Sequence, residues 1–159
     1  MKHILLFLLL VTSIYTNAQT YVYPDQMRFY GDMICNIKDG HVMAGNSNMW
    51  SDAVLTAKNN KIFKGFSTSM FDVLYTMDED GLYAGESTFS FDRLYTIKNG
   101  RVYRGNSTMT MDCLYRYDFA SGAIYKGDST FPFDAVLFLQ GDKLQAIELA
   151  ALLLSLEML

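Results

Sequence analysis

Six aspartates recur through this chain at nearly constant spacing: Asp32, Asp52, Asp72, Asp92, Asp112 and Asp134. Most are preceded by Ser-Thr within the same unit, as in Gly85-Glu86-Ser87-Thr88-Phe89-Ser90-Phe91-Asp92. Carboxylates with nearby hydroxyls can do two things. They can supply oxygen ligands to calcium, and on that reading Asp52, Asp72, Asp92, Asp112 and Asp134 are the candidate ligands. They can also accept hydrogen bonds from the backbone N–H groups and hydroxyls of their own turns. Two bare carboxylates about 5 Å apart repel by roughly 3 kcal/mol at an effective dielectric of 20. A stacked column must therefore be solvated, hydrogen-bonded or neutralised by metal, and the hydrogen-bonded reading is the expected one.

Two tyrosine rows form the second candidate. Tyr75, Tyr95 and Tyr115 follow a Val or Leu slot, and Tyr83, Tyr103 and Tyr125 lie two residues before a glycine. Aromatic rows with a polar tip can stack on sugar rings or anchor a partner protein. They can equally stabilise a sheet by cross-strand contact. Lys64, Arg104 and Lys126 adjoin the second row and could pair with acidic groups. Catalysis has little support. Gly-x-Ser-Thr lacks the second glycine of a nucleophile elbow, and beyond residue 18 the chain holds a single histidine, His41. No catalytic residue, cofactor or established metal site is expected, and the chain is read as a non-enzyme.

The elements that position these residues follow from a repeat of about twenty residues running from residue 25 to 137. Gly45, Gly65, Gly85, Gly105 and Gly127 anchor it. A period of that length marks one supersecondary unit that is stable only against its neighbours. Alternation in Phe89-Ser90-Phe91 and in Leu94 to Ile97 reads as strand. Asn99-Gly100 is a strong hairpin-turn signal, with Asp39-Gly40, Asn59-Asn60, Asp80-Gly81 and Ser121-Gly122 at the matching place. Ile34, Val54, Leu74, Leu94, Leu114 and Val136 form the expected aliphatic core column. Two all-β architectures fit: a β-solenoid, or a stack of β-hairpins. Residues 141–159 are rich in Leu, Ala and Glu, and predict a helix that caps the open last coil; residues 19–31 would cap the other end.

Residues 1–18 read as a secretory signal peptide, with a basic start, an apolar Ile4 to Val11 and small residues before an expected cleavage ahead of Gln19. The chain is thus expected to be secreted or periplasmic. Removal of Lys2 leaves 12 basic against 17 acidic residues, a formal charge of −5. Such a chain is a poor ligand for nucleic acid or anionic lipid. Cys35 and Cys113 lie four repeats apart, about 19 Å at ~4.8 Å per stacked rung, too far for a disulfide.

On these repeats the chain resembles a loose group of secreted bacterial-type proteins built from short Tyr/Gly β-repeats, over roughly residues 25 to 140. It is more distantly similar to choline-binding cell-wall repeats, which share the period and a Gly-x-aromatic hairpin. Those modules build choline cages from repeated Trp and Tyr; here Trp50 is the sole Trp, and choline binding is not carried over. The resemblance implies a repeat scaffold outside the cell. The expected function is binding of a glycan or protein at a surface through the tyrosine face. The alternative is a structural, self-assembling protein.

Overall fold

A computed structural model describes residues 19–24, 26 and 32–159. The leader expected over 1–18, and residues 25 and 27–31 of the expected N-terminal cap, lie outside the described residues.

Twelve antiparallel strands form one closed barrel. The first, β1 (Gln19–Tyr23), comes from the segment expected to be a cap, and it is a stave of the wall. Five hairpins follow: β2 (Cys35–Lys38) with β3 (His41–Ala44), β4 (Ala53–Lys58) with β5 (Lys61–Lys64), β6 (Val73–Asp78) with β7 (Gly81–Ala84), β8 (Arg93–Lys98) with β9 (Arg101–Arg104), and β10 (Cys113–Asp118) with β11 (Ala123–Lys126). The last strand, β12 (Ala135–Gly141), pairs with both β11 and β1 and closes the ring.

The predicted all-β repeat is present, but neither the solenoid nor the hairpin stack is. Each repeat stands beside the next around a circle instead of above it. Strand twist bends a continuous meander round until its first and last strands meet, and closure removes both unpaired edges.

The hairpin turns form where the sequence places them. Asn99 and Gly100 both have positive φ, 52° and 74°. A Cβ on Gly100 would stand 2.6 Å from the Tyr117 carbonyl oxygen, so the glycine also permits the hydrogen bond from Tyr117 N–H to Gly100 O. One turn is shifted: Glu79 and Asp80 make it, while Gly81 already belongs to β7.

The expected core column is displaced by one residue in the central repeats, while Ile34 and Val136 of that column pack partly buried against the core. Pairing slips between Val73 and Tyr75 opposite Phe63 and Ile62, which makes Leu74 a bulge. The same slip leaves Val54, Leu94, Leu114 and Val136 as the extra residue in their strands. A bulge resets the in–out alternation. Leu74 is consequently 37% exposed, and the lumen is lined from the next residue onward: Tyr75 and Met77, Tyr95 and Ile97, Leu55 and Ala57. The short strands add Val42, Ile62, Leu82, Val102 and Ile124. Each fully buried aliphatic side chain contributes about 1.5–3 kcal/mol.

The helix α1 (Ala146–Ser155) is present, with a capping box between Gln145 and Glu148. It does not cover an end. Ala150, Ala151, Leu152 and Leu153 are all completely buried, and Leu149 nearly so. Five consecutive helical residues point in every direction around the axis, so the helix is enclosed by the barrel wall and fills the lumen. Its entry lies beside the hairpin turns, since Gln145, Ile147 and Glu148 line one cleft with Gly40, Asn59 and Asn60. No described helix is long and apolar enough to cross a membrane.

Candidate binding rim

Because the strands run up and down, the connections between hairpins all emerge at the end opposite the two-residue turns. Five of them lie wholly within the described residues, spanning 45–52, 65–72, 85–92, 105–112 and 127–134. Each begins at a positive-φ glycine, at 57°, 62°, 61°, 59° and 64° in turn. That glycine's N–H is donated to the bulge carbonyl of the same hairpin, as Gly85 to Leu74 O at 2.7 Å and Gly105 to Leu94 O at 2.8 Å.

The loops are folded back and locked by repeated polar contacts. A buried threonine hydroxyl from the long strand donates to the glycine carbonyl: Thr56 to Gly65, Thr76 to Gly85 and Thr96 to Gly105, at 2.6, 2.6 and 2.7 Å. In the first hairpin Asn36 replaces threonine and donates to Gly45 O and Ser47 O. Sequence reading missed this anchor, although its twenty-residue spacing was available.

The aspartates do not stack into a column. Each closes its own loop by accepting from the serine five residues earlier: Ser47 to Asp52, Ser67 to Asp72, Ser87 to Asp92, Ser107 to Asp112 and Ser129 to Asp134, at 2.5–2.7 Å. The serine oxygen in turn accepts the N–H two residues on, as from Phe131 to Ser129. Five aspartates on five separate loops do not converge, and no group of three or more acidic, Cys or His side chains with metal-site geometry occurs among the described residues.

The two tyrosine rows lie on opposite faces of the wall. Tyr75, Tyr95 and Tyr115 point inward and pack partly buried against the lumen core. Tyr83, Tyr103 and Tyr125 follow lumen-facing residues and so face outward, yet all three are buried, Tyr83 to 2% exposure. Tyr125 packs with Tyr23, Met33, Ala123 and Phe138, and Arg93 is bound through Nε and Nη2 to the Tyr83 hydroxyl at 3.1 and 3.0 Å. The rows therefore form no open tyrosine face. Arg93 also reaches Asn106 of the next loop, while Lys61–Glu86 and Arg101–Asp128 pairs, both 2.6 Å, tie loops to the wall.

Among the side chains these loops leave in solvent are large apolar ones. The residues before each aspartate form a single 3-10 turn, Met70–Asp72 for example, not the strand expected at Phe89 to Phe91. That turn throws the preceding side chains outward. Phe71 and Phe133 are 99% exposed, and Phe91 and Met111 nearly as much. Met49, Trp50, Met70, Phe89, Met109 and Phe131 accompany them. Phe89 stacks on Phe91 at 5.6 Å between ring centroids, and Trp50 on His41 at the same distance. His41 Nδ1 lies 2.8 Å from Thr56 Oγ1; desolvation lowers the histidine pKa, Asp39 opposing and Lys58 assisting. Cys35 and Cys113 are free and buried, and burial pushes the Cys35 thiol up to about 12.

A closed ring of five hairpins plus the β12–β1 pair gives six-fold pseudo-symmetry with loops splayed at one end. The sequence profile described as "6-fold beta flower protein" matches residues 10–122. The chain belongs to the 6-fold beta flower family. This β-flower family is a β-repeat family, and it is not that of the choline-binding repeats. No curated protein and no solved structure gives a match. We call the apolar-tipped loops at the rim its petals.

Proposed function

We propose that this β-flower protein is a secreted, non-enzymatic binding module that engages a partner protein through the exposed tips of its petals. The observation that carries the reading is the ring of Phe, Met and Trp side chains left in solvent on every full petal. Exposed apolar groups on this scale mark interaction sites. The hydrogen bonds behind them hold the tips rigidly, which lowers the entropic cost of association.

Among the expected ligands, a protein fits the tips better than a glycan. The slot before the aspartate reads Ser51, Phe71, Phe91, Met111 and Phe133, and the slot two earlier reads Met49, Ser69, Phe89, Met109 and Phe131. Sugar stacking needs a flat ring; methionine in the same slot serves adaptable apolar contact instead. End-to-end self-assembly is the weaker alternative, since a closed barrel offers no unpaired strand edge to extend. The staves, four to seven residues long, are shorter than the ~9–11 of bilayer-spanning strands.

The test is photo-crosslinking in the producing cell. A reactive residue placed at Phe71 or Met111 should yield discrete protein adducts, and one placed at the hairpin turn residue Asn59 should not. Equal adduct patterns from both ends of the barrel would refute the rim assignment.

A further inference from the structure

Thioether sulfur is divided unevenly between the interior and the petals. Met33, Met43 and Met77 are buried, and Met158 packs partly buried against the core. Met49, Met70, Met109 and Met111 are exposed, and all four lie on petals. One petal differs from the rest. Residues 105–112 carry methionine in both apolar slots, Met109 and Met111. In the petals on either side the same slots hold Phe89 with Phe91, and Phe131 with Phe133. In the remaining two they hold Met49 with Ser51, and Ser69 with Phe71, and there Trp50 and Phe71 keep an aromatic ring in solvent. The exposed large apolar side chains of petal 105–112 are therefore both thioethers, Met109 at 64% and Met111 at 86% exposure.

An exposed thioether reacts with hydrogen peroxide. A sulfur lone pair attacks one peroxide oxygen, the O–O bond breaks and the S–O bond forms. The departing hydroxide takes the proton of the transferred OH and leaves as water. Sulfur loses two electrons and the peroxide gains them. The sulfoxide is polar and chiral where the thioether was apolar; a phenylalanine ring has no such lone pair to oxidise. The competing sulfurs are withdrawn. Thiolate is the reactive form of cysteine. Cys35 and Cys113 are buried, which pushes the Cys35 thiol up to about 12 and raises that of Cys113.

We propose that Met109 and Met111 form a peroxide-responsive polarity switch, which turns one petal of the rim from apolar to polar and is reset by thiol-dependent sulfoxide reduction. In the reset the sulfoxide oxygen leaves as water while two thiols become a disulfide. The petal's frame survives the change because neither thioether is part of it. Ser107 still donates to Asp112, the Met109 backbone N–H still donates to Ser107, and Thr96 still holds the Gly105 carbonyl. Resting on the rim reading above, oxidation withdraws this one sector from apolar contact and leaves the phenylalanine petals on either side unchanged.

The test treats the folded protein with dilute hydrogen peroxide and maps sulfoxides by peptide mass spectrometry. Met109 and Met111 should oxidise at least about tenfold faster than Met43 and Met77, and all four at similar rates in urea. Retention on an apolar chromatography matrix should fall with oxidation and return after treatment with both epimer-specific methionine sulfoxide reductases and a dithiol. The oxidised protein should melt like the reduced one. A Met109→Leu/Met111→Leu variant, whose side chains stay apolar and exposed, should melt like the parent and lose most of the peroxide response in retention. Oxidation of Met109 and Met111 no faster than that of Met43, or first attack at Cys35 or Cys113, overturns the site. An undiminished retention loss in the leucine variant, or a melting midpoint lowered by oxidation in the parent but not in that variant, overturns the switch. None of these readouts uses a partner, so they fail independently of the rim's role in binding.

Discussion

At the scale of single residues, the petals depend on two kinds of polar contact, and only one was legible in the sequence. The serine–aspartate closure could be anticipated because both partners sit five residues apart in one loop, where side chains commonly bond their own turn. The threonine–glycine anchor recurs with the repeat but its pairing was not legible, because Thr96 lies in β8 and Gly105 opens the loop after β9, and the two meet only once the hairpin forms. Its strength is measurable. Thr96→Val keeps the shape but leaves the Gly105 carbonyl without its donor, at a cost of about 1–3 kcal/mol. For a chain of this size, 1 kcal/mol lowers the melting midpoint by roughly 2–4 °C. Thr108→Val, on the exposed part of the next petal, should change stability by less than ~0.5 kcal/mol. Urea unfolding of both variants decides the matter; equal losses would deny the anchor its role.

At the scale of elements, the strands and turns were readable but their facing was not. Period-two patterning gives two faces without saying where it is interrupted, and the bulge at Leu74 and its equivalents exchanges them. In the central repeats the aliphatic slot therefore went to the rim and the tyrosine after it to the lumen, while Ile34 and Val136 at the two ends of the column still pack against the core. The helix shows the converse. Its sequence, Ala-Ile-Glu-Leu-Ala-Ala-Leu-Leu-Leu-Ser, is apolar nearly all round, and such a helix is buried on all sides. A cap would have kept a polar face, so that composition already contradicted a cap. If α1 is the axial core of the barrel, Leu152→Ala should destabilise by about 2–5 kcal/mol, the cost of a cavity in a packed interior. Phe91→Ala, apolar but exposed on a petal, should cost less than ~0.5 kcal/mol. A Leu152→Ala protein with parental stability in chemical denaturation would place the helix outside the lumen.

At the scale of the whole molecule, the repeat period does not choose between a stack and a ring, because the contacts between neighbouring repeats are alike in both. What chooses is the pairing of β1 with β12, between residues more than a hundred positions apart. Nothing local encodes it. Removing one unit in register, residues 65–84, separates the two architectures. A solenoid would lose a rung and keep its remaining neighbour contacts, with stability falling about in proportion. The barrel would have to close with ten staves, and its diameter, which grows roughly linearly with strand number, would shrink by about one sixth. Its lumen is already filled by the fully buried residues of α1, and overpacking a dense interior strains both wall and core. The shortened chain should therefore lose its single cooperative calorimetric transition and run as an expanded or aggregated species in size exclusion. A soluble, cooperatively melting monomer would show that the ring tolerates a missing stave, and that helix and wall are not matched in size.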